Sequence, residues 1–176
     1  EVIDGCFIPV LDEVGAKFER GELFVPQLMA SAEAVKVGFD TVKACVPAGA
    51  AQDKGDIVLA TVKGDIHDIG KNIVKMLLEN YGYRVHDLGR DVAPEAVLEC
   101  VQATGARLVG LSALMTTTVR SMEQTVELLH REVPDVKVMV GGAVLTPEYA
   151  ATMGAEYYAK DAAESARIAG EFFAGK

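Results

Sequence analysis

Apolar positions follow two different rhythms along the chain, and the change falls near residue 50. Between Ile8 and Arg20 they recur at Leu11, Val14 and Phe18, a spacing of three then four that lines one face of a helix. Gly21 suits the close of that helix. Pro26 fits the first turn of a second helix, in which Met29, Ala32, Val35, Phe39, Val42 and Val46 keep the same rhythm as far as Pro47. The two form a hairpin. Two amphipathic helices cannot bury both stripes against each other alone, so the hairpin must pack on further helices, on the next domain or on a ligand.

The stretch PAGAAQDKG at 47–55 gathers proline, glycines, alanines and polar side chains and reads as exposed linker. The expected organisation is therefore a helical unit at 1–47, a linker at 48–55 and a second unit at 56–176. In that second unit short runs of Val, Ile and Leu alternate with helix-length amphipathic segments, the mark of βαβ repetition. Strands are expected at Ile57–Val62, Arg84–Asp87, Arg107–Ser112, Val136–Val140 and Glu156–Ala159. Helices are expected at Gly70–Tyr81, Pro94–Ala103, Val119–Glu132, Pro147–Met153 and Asp161–Phe173. Runs such as IVLATV and VKVMV are apolar on both faces, as a sheet covered on both sides requires. The fold class is α/β, a flavodoxin- or Rossmann-like five-stranded parallel sheet behind a helical unit. Ligands of such sheets bind at the carboxyl ends of the strands near a topological switch point, which directs attention to the loops at 63–70, 113–118 and 141–146.

Half of the 176 residues are apolar, enough for one sizeable core and a small appended unit. No run approaches the roughly 18 apolar residues of a membrane span and no leader pattern opens the chain, so a soluble, unexported, cytoplasmic protein with no membrane partner is expected. With 26 acidic against 17 basic residues the net charge is −9, which opposes binding to nucleic acid. Cys6, Cys45 and Cys100 are odd in number and lack CxxC spacing, so neither a disulfide framework nor a zinc site is indicated; buried free thiols in a reducing compartment are expected.

The first of the three loops, GDIHDIGKN at 64–72, sets one imidazole between two carboxylates at a strand tip. It is not a phosphate loop: five residues separate Gly64 from Gly70 where GxxxxGK has four, Asn72 replaces the hydroxyl residue, and two acids would repel phosphate. GxGxxG is absent as well. Asp65 stands two residues before His67, so in an extended segment both side chains point the same way and the carboxylate reaches the ring. A carboxylate on one ring nitrogen fixes the tautomer and raises the basicity of the other, which serves metal ligation and general-base work alike. Gly70 lets something bulky approach the helix start. His86 and His130 carry less weight, as surface or dipole-facing residues, and Lys71 and Asn72 are expected only to open the helix.

The loop after the third strand, SALMTTT at 112–118, offers hydroxyls but no histidine to activate them, so hydrogen bonding to a polar ligand fits better than nucleophilic catalysis. After the fourth strand, Gly141, Gly142 and Ala143 leave the space above the sheet nearly free of side chains, as a large ligand or a tight turn would require.

Together DIHDIG at 65–70, SAL at 112–114 and GG at 141–142 resemble the DxHxxG, SxL and GG signature of cobalamin-binding domains, in order and in spacing. GELFVPQLMASAEAV at 21–35 resembles the helical cap preceding that domain in methionine synthase and in corrinoid methyl-carrier proteins. The resemblance covers essentially the whole chain. It implies a cobalamin or related corrinoid whose nucleotide tail leaves cobalt and enters the sheet domain (base-off), while His67 takes the lower axial position (His-on). Cofactor contacts implied by it are Asp68, Ile69, Gly70, Ser112, Leu114, Thr116, Gly141, Gly142 and Ala143. Asp65 and Thr118 would complete a relay with His67, Thr118 standing where methionine synthase has serine. Phe24 and Met29 are candidates for the upper face of the corrin, although their spacing equally suits hairpin core. The family cap has four helices and only two are legible, so either the cap is truncated or the upper face is more open than is usual in the family.

The same resemblance implies a methyl carrier cycling between Co(I) and methyl-Co(III). No residue looks able to activate a methyl donor, so a substrate-specific methyltransferase is expected to load the carrier, and a corrinoid:tetrahydrofolate or corrinoid:coenzyme M methyltransferase to unload it. A reductive activase would restore it. Methylamines, methanol, betaines and methoxy-aromatics all suit as donors. An alternative is a cobalamin-dependent sensor, against which stand the missing helix-turn-helix and basic patch; a radical-mutase subunit would lack the helical cap.

Overall fold

The computed structural model describes residues 6, 8–45 and 54–175. Two helices come first, α1 at Ile8–Glu19 and α2 at Val25–Cys45. There follow β1 (Asp56–Thr61), α3 (Ile69–Asn80), β2 (Arg84–Asp87), α4 (Pro94–Thr104), β3 (Leu108–Ser112), α5 (Val119–Glu132), β4 (Lys137–Gly141), α6 (Pro147–Thr152), β5 (Tyr157–Ala159) and α7 (Ala162–Phe173). A 3-10 turn at Thr116–Thr118 leads into α5. All elements after the linker lie within one or two residues of their sequence-based positions. The linker itself, at 48–55, lies outside the described residues except for Lys54 and Gly55. No helix among the described residues is long and apolar enough to cross a membrane.

The hairpin turn follows from local chemistry. Gly21 has φ +73°, and the amides of Gly21 and Glu22 donate to the carbonyls of Phe18 and Lys17 at 2.9 Å each, which closes α1 in a left-handed turn. The Phe24 amide donates to Gln27 Oε1 at 2.8 Å and opens α2 with the reciprocal arm of a capping box. The buried stripe of α2 differs from the expected one by one position. Leu28 and Val35 are buried whereas Met29 is exposed, and the side chains of Ala32, Phe39, Val42 and Val46 lie outside the described residues.

The five strands are parallel in the order β2-β1-β3-β4-β5. The chain leaves β1 in one direction and β3 in the other, so the switch point lies between them. Alternation along β1 shows both faces covered: Val58, Ala60 and Val62 join the cluster under α4, α5 and α6, while Ile57 and Leu59 join the one under α3 and α7.

Two expectations need correction. Cys6 is exposed because it precedes the packed part of α1, and Cys100 is only half-buried at the edge of the α4 cluster, where burial pushes its thiol up from the ordinary value. His86, expected as a surface or dipole-facing residue, is half-buried within β2, with Nε2 2.6 Å from Asp56 Oδ1. His130 is late in α5 as expected, 3.3 Å from Glu156 Oε2.

Candidate functional site

The loop after β1 ends in a buried carboxylate whose two oxygens serve different parts of the chain. Asp65 is 0% exposed. Its Oδ1 accepts the His67 amide at 3.0 Å and lies 2.8 Å from His67 Nδ1. Its Oδ2 accepts the Leu114 amide at 2.7 Å, the Met115 amide at 3.3 Å and the Thr118 hydroxyl at 2.8 Å. Burial alone would raise the pKa of this group, but the amides of His67 and Leu114, the ring and the hydroxyl outweigh it and hold the carboxyl well below the usual carboxylate range. Asp65 is thus ionised and can only accept, so in a neutral imidazole the proton sits on Nδ1 and Nε2 keeps its lone pair. Nε2 has no hydrogen-bond partner among the described residues, and the ring is 46% exposed.

That ring stands at the mouth of a cavity of about 1130 Å³. The cavity runs beneath α1 and α2 and down between α3 and α7, along the face of the sheet. Asp68, Ile69, Gly70, Ser112, Leu114, Gly141, Gly142 and Ala143 all line it; Thr116 does not. Phe24 is 70% exposed and, like Met29, lies outside the lining; the hairpin contributes Gly15, Ala16, Phe18 and Leu28 instead. Ile66, Ile69 and Leu114 are exposed large apolar side chains around the mouth.

Of the two reasons the sequence allows for the glycines, a tight backbone approach is visible directly. A Cβ on Gly142 (φ +143°) would lie 1.8 Å from the Ala113 carbonyl oxygen, and one on Gly141 3.0 Å from that of Ala159. Their space is filled by this chain's own backbone: Gly142 allows the loop after β4 to press against the loop after β3. Further room in the cavity comes from Gly70, whose Cβ would meet nothing within 4 Å, and from the small residues Ala163, Ala166 and Gly170 of α7, which packs on α3.

Three charged residues that hold this site are not apparent in the motifs. Asp91, in a left-handed conformation at φ 56°, accepts the Gly64 amide on Oδ1 at 2.7 Å and donates its own amide to the Asp65 carbonyl at 3.0 Å. It clasps the loop from 27 residues away. Lys71, expected only to open the helix, is 3% exposed, with Nζ 2.5 Å from Asp87 Oδ1 and 2.8 Å from Asn72 Oδ1. Asp87 also accepts the Gly89 amide at 2.9 Å and has Lys75 at 3.3 Å; burial opposes but these donors prevail, and its carboxyl lies below the ordinary value. The left-handed Asp91 gives no local sequence signal, and the Lys71–Asp87 pair could be found only by setting the polar residue of α3 against the acid ending β2. No group of three or more metal-ligating side chains occurs among the described residues.

A B12 binding domain family matches residues 55–168, and a second B12 binding domain family matches residues 1–43. The dimethylamine corrinoid protein 1 of Methanosarcina mazei is 43% identical over 100% of this chain and 83% of its own length. The methanol:cobalamin methyltransferase complex MtaBC of Methanosarcina barkeri has a chain with TM-score 0.85 and 32% identity, over 99% of this chain and 67% of that one. A cobalamin-binding protein of Desulfitobacterium hafniense gives TM-score 0.82 and 34% identity, over 92% of this chain and 77% of that one. The matches extend across hairpin and sheet domain together, with His67 at the mouth of the cleft, and the chain belongs to the B12-binding domain family as a corrinoid protein of the methyl-carrier type.

Proposed function

We propose that this chain binds its corrinoid with the nucleotide tail displaced from cobalt and lodged between α3 and α7, and with His67 Nε2 in the vacated axial position. One observation carries this reading: a buried, ionised Asp65 engages Nδ1 and leaves Nε2 open to an elongated apolar cleft. When bound, the corrinoid supplies a cobalt centre that takes a methyl group from one enzyme and yields it to another. The residues fit it. A flat macrocycle suits the apolar rim of Ile66, Ile69 and Leu114, and a tail suits the slot below.

The protein's own part is to orient one imidazole and balance its charge. Asp65 accepts Nδ1–H and sets the ring plane; Thr118 and the amides of Leu114 and Met115 set Asp65. The loops after β1 and β3 are thereby tied to one carboxylate. A proton taken up at Nε2 leaves an imidazolium whose charge Asp65 balances at 2.8 Å. Thr118 Oγ1 also lies 2.8 Å from the Met115 carbonyl, so its single proton has a second acceptor whenever Asp65 is protonated. Phe18 and Leu28 of the hairpin roof the cleft.

The methyl group would come from a substrate-specific methyltransferase and pass to a corrinoid:tetrahydrofolate or corrinoid:coenzyme M methyltransferase, with a reductive activase maintaining the carrier. The name of a relative 43% identical, a dimethylamine corrinoid protein, supports a methylamine as methyl source. Anaerobic incubation with hydroxocobalamin followed by desalting tests the reading. Stoichiometric retention by the wild type is expected, with an altered spectrum or loss of pigment in His67→Ala; a folded wild type that retains nothing would overturn it.

A further inference from the structure

Among the described residues, Asp91 is the one non-glycine whose backbone is left-handed, at φ 56°. L side chains are penalised there, aspartate and asparagine least, because their short polar groups bond locally. The conformation is imposed from both sides. The Thr61 amide donates to the Gly89 carbonyl at 2.9 Å and the Val92 amide to the Thr61 carbonyl at 3.0 Å, so residues 89–92 are stapled to the last residue of β1. A glycine at 91 would make the same turn without strain, as Gly89 does two residues earlier at φ +83°. What the aspartate side chain adds is Oδ1, which accepts the Gly64 amide at 2.7 Å while the Asp91 amide donates to the Asp65 carbonyl at 3.0 Å. These two bonds bracket Gly64 and Asp65. They also keep Gly64 beside Thr118, whose Cγ2 lies 3.5 Å from where a Cβ on Gly64 would stand and whose hydroxyl donates to Asp65 Oδ2. Asp91 and Gly64 are both exposed, so their hydrogen bond competes with water and adds little to the stability of the fold. Backbone strain kept for so small a return in stability points to geometry.

We propose that Asp91 is a positioning residue for His67: by holding the backbone around Asp65 from the end of β2, it fixes the carboxylate that engages Nδ1 and so the direction in which Nε2 points. Asp65 is thus set twice. The loop after β3 holds its carboxylate, and the loop after β2 holds its backbone. The consequence for the loaded protein, that Asp91 governs how much of the cobalt carries imidazole, rests on the axial reading above; the positioning of the ring itself does not.

The test compares Asp91→Gly, which keeps the turn and removes Oδ1, with Asp91→Asn, which keeps both the tolerance of a left-handed backbone and an oxygen acceptor. In the apoprotein carrying 15N-labelled histidine, ring-nitrogen shifts at about pH 9, where ordinary imidazoles are neutral, read the ratio of the Nδ1–H to the Nε2–H tautomer of His67. Asp91→Gly is expected to lower that ratio about fivefold, the contribution of one exposed hydrogen bond, and Asp91→Asn to stay within about twofold of the wild type. In the corrinoid-loaded protein reduced to Co(II), the ratio of cobalt with histidine nitrogen splitting to cobalt without it is expected to fall by a like factor in Asp91→Gly alone. An Asp91→Gly protein that matches the wild type in the apo ratio, or an Asp91→Asn protein that falls with it, overturns the positioning role. An Asp91→Gly chain that does not fold overturns it too, since Asp91 would then serve stability. A loaded wild type without histidine splitting, in a protein whose apo ratios differ as stated, overturns the axial reading and leaves the positioning of the ring intact.

Discussion

On the α4/α5 side of the sheet, Val58, Val109 and Val138 interlock with Val97, Val101, Met122, Val126 and Leu129, nearly all of them shielded from solvent. On the α3/α7 side, the same strands present Leu59, Gly110 and Met139 to helices whose facing residues include Ala163, Ala166 and Gly170, and a cavity of about 1130 Å³ results. One face is packed as a protein interior normally is. The other is left unfilled and is braced near its mouth by the buried Lys71–Asp87 pair. The proposed function divides stability and ligand binding between the two faces, and substitutions on each should separate them.

The largest loss is expected at the brace. Asp87→Ala leaves the Lys71 ammonium buried without its counter-charge and should cost about 4 kcal/mol in urea unfolding at neutral pH. Because the folded-state pKa of Asp87 is lowered, its contribution is complete above the unfolded value near about 4 and is lost as pH falls through the folded one. The stability gap between wild type and variant should therefore narrow below about pH 4; a gap independent of pH would show that the pair is not what holds α3 to β2. On the packed face, Leu129→Ala should cost about 3 kcal/mol through the cavity it opens, with corrinoid retention by the folded protein unchanged. On the open face, Ala166→Phe places a ring in space already present and should change stability by less than about 1 kcal/mol while abolishing retention. Equal corrinoid loss in the Leu129 and Ala166 variants would remove the distinction between the faces.

The packed face was legible in the sequence because its signal is local: the doubly apolar runs IVLATV and VKVMV and the helical period of 119–132 mark buried positions without knowledge of their partners. So was the Asp65–His67 pair, since two residues in an extended loop share a side. The open face was not, because its cavity arises from small residues in α7 set against α3, which lies some 90 positions earlier in the chain. The Asp91 clasp likewise spans 27 residues. The hairpin shows a subtler limit: Leu28 and Met29 are adjacent and both apolar, and only the packing of α2 on α1 and α3 decides that Leu28 turns inward. At Gly142 the sequence left a ligand and a tight turn equally open; the close approach to the Ala113 carbonyl, 1.8 Å from where a Cβ would stand, is what demands the glycine, and the residue also lines the cavity.

The central claim is that His67, and not the corrinoid's own base, ligates cobalt from below. Electron paramagnetic resonance of the protein loaded with corrinoid and reduced to the Co(II) state, prepared once with natural and once with 15N-labelled histidine, reads that ligand directly through its nuclear spin. The account predicts that the nitrogen splitting changes from triplets to doublets on labelling, and triplets that persist with labelled histidine would contradict it.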